Sequence, residues 1–127
     1  MIFVIFTENF TNELNKNINV QLSIKNVNTD GHNPSINMTK YGRVVILTFY
    51  DIRYINKPEG AGMIIAEGLP IPLGQRSITS VLVPTYSGSA GIRVGVNHEG
   101  KLVYWWVSPD VKPSVPCSGQ LVYLTND

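Results

Sequence analysis

The chain has 127 residues, a formal net charge of +1 and 43% hydrophobic residues, enough for one core but not for two stable ones. Charged residues make up 15%, against roughly 25% in an ordinary soluble domain, so Asn, Ser and Thr must cover much of the surface. Lysines and arginines are scattered singly, which excludes the basic stripe that nucleic acid or an acidic membrane surface requires.

Met1-Ile-Phe-Val-Ile-Phe6 is apolar but short, lacks a basic region before it and runs at once into Thr7-Glu-Asn. It is therefore expected to be neither a signal peptide nor a membrane span. Residues 1–16 are taken as a lead-in, with one helix candidate over residues 7–17, and residues 17–127 as the domain. Ile18, Val20, Leu22 and Ile24 alternate with polar residues, the period of a strand with one wet face. Residues 26–34, with Asp30-Gly31 and Asn33-Pro34, form a turn-rich loop, and a short strand covers residues 36–38. Residues 43–50 (Arg-Val-Val-Ile-Leu-Thr-Phe-Tyr) are almost wholly apolar and predict a central strand covered on both faces.

A short strand over residues 62–66 follows the break at Lys57-Pro-Glu-Gly60. The two prolines and two glycines of residues 68–74 forbid a regular ladder there. Residues 77–83 predict a strand stopped by Pro84, and Tyr86-Ser-Gly-Ser-Ala-Gly91 a strand connection. Ile92, Val94 and Val96 alternate before Asn97-His-Glu-Gly100, and residues 102–107 restart the pattern: a β-hairpin. Pro109, Pro113 and Pro116 make residues 108–117 irregular, and residues 120–125 give a last strand. About eight strands punctuated by Gly and Pro predict an all-β fold, an antiparallel, jelly-roll-like β-sandwich.

Little in the chain points to chemistry. Cys117 is the single cysteine, so there is no internal disulfide or multi-cysteine metal centre. His32 and His98 fall in loop tips without ligand spacing. No His-Glu-x-x-His, Gly-x-Ser-x-Gly or phosphate-cradling loop is present. Most of the nine acids lie in loops or at ends, and nothing in their spacing favours a glycosidase pair. Asn9-Phe-Thr11 and Asn37-Met-Thr39 match the glycosylation acceptor pattern, which is common by chance. No enzyme activity, cofactor or metal is expected.

The unusual feature is aromatic: Tyr104, Trp105 and Trp106 are consecutive. Strict strand alternation sends Trp105 to one face and its two neighbours to the other, so at least one large aromatic lies outside the subunit's own core. With Val94 and Val96 weighting one face, Trp106 is expected in the core and Trp105 at the contact surface.

From about Met38 onward, the order of elements resembles the C-terminal receptor-binding head domains of phage and prophage tail-fibre or baseplate proteins. The matching pieces are Lys40-Tyr-Gly-Arg-Val-Val45, Ala66-Glu-Gly-Leu-Pro70 followed by Arg76, the hairpin over residues 91–102, and Gly119-Gln-Leu-Val-Tyr123. Two departures stand out: Ser77 follows the arginine where the family often has proline, and Ile71-Pro72-Leu73 lengthens the spacing before it. The resemblance implies a homotrimeric head on a virion tail, held by other tail or baseplate proteins and adhering to a host-surface glycan or protein. Its receptor or subunit contacts would fall at Trp105, Tyr104, Trp106, Tyr86 and Arg76. Two other readings fit a non-catalytic sandwich: a carbohydrate-binding module detached from a hydrolase, and a structural trimerisation knob without a receptor.

Overall fold

A computed structural model describes residues 17–58, 60, 62–85 and 88–126. The lead-in, its helix candidate and Tyr86 lie outside the described residues. Among those described, eight strands form two four-stranded antiparallel sheets, an all-β sandwich. The first sheet has the order β1 (Asn17–Gln21), β2 (Ser35–Tyr41), β3 (Val44–Ile52), β8 (Cys117–Leu124). The second has the order β4 (Met63–Ala66), β7 (Leu102–Val107), β6 (Gly88–Val96), β5 (Ser77–Thr85). Here β5, β6 and β7 are successive antiparallel neighbours and β4 lies beside β7, a Greek-key arrangement. No described helix is long and apolar enough to cross a membrane.

Alternation builds the core. Ile36 and Met38 of β2, Val45, Leu47 and Phe49 of β3, and Leu121 and Tyr123 of β8 face Ile92, Val94 and Val96 of β6 and Leu102 and Tyr104 of β7. Two loops are tied down by side-chain bonds to backbone. Tyr54 Oη donates to Val111 O, and Arg53 to Ser114 O at 2.6 Å, fixing the proline-rich connection before β8. Tyr123 Oη donates to Pro70 O and Thr125 Oγ1 to Ile71 O, fixing the segment before β5.

Three sequence expectations are corrected. β3 is central, but only one of its faces is covered among the described residues: Val44 and Tyr50, on the outer face, are 36% and 63% exposed. The strand is apolar because its outer face belongs to an uncovered apolar surface. Nor does Pro84 stop β5, which runs to Thr85 with Pro84 opposite Ser89. The strand is at the sheet edge, where a missing N–H breaks no ladder on the open side. β1 is also shorter than its alternation suggests: it ends at Gln21, the Leu22 N–H makes one more bond, to Ile36 O, and Leu22 and Ile24 pack on the core.

Candidate functional site

The β6–β7 hairpin closes as its sequence predicts, with the Asn97 side-chain oxygen accepting from the N–H groups of Glu99 and Lys101 and Gly100 at φ 72°. Further along, the register breaks. Val94 pairs with Tyr104 and its neighbour Arg93 with Trp106, so Trp105 is the extra residue of a β-bulge. The bulge resets the alternation within the aromatic run. Tyr104 shares the inner face with Val94 and is 1% exposed, whereas Trp106 shares the outer face with Arg93 and is 47% exposed.

Trp105 also lies on the outer face. A Cβ on Gly95, which alternates outward with Arg93, would fall 2.6 Å from Trp105 Cζ3. A Cβ on Gly62 would meet Val103 Cγ1 at 2.6 Å and Trp105 Cδ1 at 3.1 Å. The indole is thus lodged over two residues that have no side chain to obstruct it. Trp106 reaches over Gly91, its Cζ3 lying 3.8 Å from a Cβ built there. The expectation of one core and one surface tryptophan is therefore overturned: neither is core, and the core aromatic is Tyr104.

Each tryptophan carries a cation. Arg76 Cζ lies 5.4 Å from the centroid of Trp105, and Arg93 Cζ lies 5.7 Å from that of Trp106, within cation–π range. Arg76 is aimed by a tight turn in which Gln75, at φ 66°, donates its N–H to Pro72 O. Ile78 and Leu82 of β5 extend the face outward, 46% and 74% exposed. No carboxylate among the described residues pairs with either arginine. Elsewhere Arg53 binds Asp51, Lys25 binds Glu67 and Lys101 binds Glu99. The hydrogen bond and charge of Lys25 hold the Glu67 carboxyl below its ordinary range.

Of the residues expected to make contacts, Trp105, Trp106 and Arg76 come together here. Tyr104 is withdrawn into the core, its ring 6.4 Å from that of Tyr54. Its hydroxyl is buried beside the Cys117 thiol without a hydrogen-bond partner among the described residues, and burial raises its pKa. Burial likewise pushes the Cys117 thiol up to about 11, so it stays protonated and unreactive at neutral pH. Sequence reasoning missed Arg93 and, beside it in β6, Gly91 and Gly95. The available signal was Gly91-x-Arg93-x-Gly95 on the face opposite Ile92, Val94 and Val96, since small outward residues leave room for large cross-strand neighbours.

A second surface lies on the first sheet. Across β2, β3 and β8, Tyr41, Val44 and Leu124 form one outward row, and Thr39, Ile46 and Val122 the next. Tyr41, Val122 and Leu124 are 48%, 53% and 52% exposed. No outward residue paired along these three strands is charged.

His32 and His98 remain apart from both faces' chemistry, and no group of three or more His, Cys, Asp or Glu among the described residues is placed to hold a metal. Compared with models of known protein families and with curated proteins, the chain matches none.

Proposed function

We propose that this domain is a non-catalytic adhesion head of a phage or prophage tail appendage, which recognises a host-surface glycan through the Trp105–Trp106 face. The observation that carries the reading is the bulge at Trp105, which presents two indoles, each beside an arginine, on one open sheet face. Aromatic rings stack on the apolar C–H faces of sugars, and guanidinium N–H groups bond their oxygens. A bulge that re-aims side chains is a common feature beside functional sites. A glycan array, followed by titration of tryptophan fluorescence with the best ligand, tests it. Trp105→Ala and Trp106→Ala are each expected to weaken binding at least about tenfold, as loss of a buried contact aromatic of about 2 kcal/mol implies. Unchanged affinity in both would sink the proposal.

The two outer faces suit different partners. Self-association through the tryptophan face would bring arginines together without a carboxylate to separate them. The face of Tyr41, Val44, Ile46, Val122 and Leu124 is neutral and apolar, the composition of a subunit contact. The expected assembly is a homotrimer through that face, sedimenting at about three times the 14.1 kDa of one chain. Val122→Asp is expected to return it to a folded monomer. A monomeric parent chain at micromolar concentration would leave a carbohydrate-binding module as the better reading.

A further inference from the structure

We infer that the ligand of the Trp105–Trp106 face is an anionic saccharide, a sugar ring bearing an oxyanion. The inference rests on the proposal that this face binds glycans, and it specifies their charge. Arg76 and Arg93 are each held beside an indole, 5.4 and 5.7 Å from the ring centroids, yet neither forms an ion pair with a described residue. This distinguishes them from Arg53, Lys25 and Lys101, each of which has a carboxylate within 3.3 Å.

The outward residues of β5 and β6 are Ile78, Ser80, Leu82 and Pro84, and Ser89, Gly91, Arg93 and Gly95, so no acid of these two strands competes for the guanidinium donors. Gly95 and Gly91 have no side chain to lift the Trp105 and Trp106 indoles off the sheet, so both rings lie close to β6 beside the arginines. A planar guanidinium offers paired N–H donors matched to carboxylate, sulfate or phosphate oxygens, while a neighbouring ring lowers the local dielectric and strengthens the bond. Neutral sugars would need neither charge. Nucleic acid also stacks on aromatics, but a chain of net charge +1 lacks the continuous cationic track that follows a phosphate backbone.

The test is binding of the full chain to polygalacturonate, dextran sulfate, neutral dextran and a single-stranded oligothymidylate, at 50 and 300 mM salt. The expected result is tighter binding to one or both anionic polysaccharides than to dextran, weakened at least about tenfold in an Arg76→Gln/Arg93→Gln double variant. That weakening should leave the melting temperature in place and be absent in Arg43→Gln, an exposed arginine in the β2–β3 turn of the other sheet. Preference for polygalacturonate over dextran sulfate identifies a carboxylate, and the reverse a sulfate-like group. Equal loss of binding in Arg43→Gln would show non-specific attraction and overturn the inference. So would tighter binding of the oligonucleotide. Binding of dextran or another neutral glycan, unaffected by the double variant but lost in Trp106→Ala, overturns the anionic ligand while leaving the glycan face standing. Absence of binding to every polysaccharide here and every glycan on the array overturns both.

Discussion

Tyr104→Ala is expected to unfold the domain or bring it to the edge of unfolding, while Trp106→Ala leaves it folded. Tyr104 is 1% exposed and packs among inward residues of both sheets, and removing an aromatic ring from such a site costs about 3–5 kcal/mol. Trp106 is 47% exposed and stands over a glycine, so its loss forfeits mainly the cation–π contact with Arg93, about 0.5–1 kcal/mol. Strict alternation through the aromatic run predicts similar losses for the two, because it places them on one face. Tyr104→Phe separates ring from hydroxyl. The hydroxyl has no hydrogen-bond partner among the described residues, so its removal is expected to be neutral or stabilising by up to about 1 kcal/mol. Thermal melts of the three variants decide the matter: equal destabilisation by Tyr104→Ala and Trp106→Ala would contradict the bulge.

Gly95→Ala is the second large effect. The added methyl would collide with the Ser77 carbonyl oxygen, lie 2.8 Å from Ile78 Cα and press on Trp105 Cζ3 at 2.6 Å. Two of these obstacles are backbone of the paired strand β5, which must move away bodily. Overpacking of this kind costs about 3 kcal/mol, at the upper end of the usual range, or roughly 10 °C in melting temperature for a domain of this size. Trp105 would be displaced with it, so glycan affinity should fall as well. Gly91→Ala is the control on the same face of the same strand: its methyl would meet only Trp106 Cζ3, at 3.8 Å, and stability should stay within about 0.5 kcal/mol. A Gly95→Ala protein that melts with the parent chain would show that Trp105 does not lie over β6.

The residues determined by themselves those features that depend on near neighbours in the chain. Ile92, Val94 and Val96 bury one face of β6 because a strand repeats every two residues, and Asn97-His-Glu-Gly100 turns because an asparagine side chain and a glycine at positive φ suffice to reverse the backbone. The all-β class and the irregularity of the proline-rich loops follow from the same local rules.

Tertiary structure decided what depends on the strand alongside. Pro84 is harmless because β5 lies at an edge, and Val44 and Tyr50 are exposed because no layer covers the outer face of β3 among the described residues. Trp105 and Trp106 share a face because β7 holds one more residue than β6 at that point. Nothing in Tyr104-Trp105-Trp106 encodes that mismatch. It arises when two strands are paired and the core claims Tyr104 on one side while Gly95 and Gly62 leave room for an indole on the other, and side-chain packing across strands fixes register only after the sheet exists.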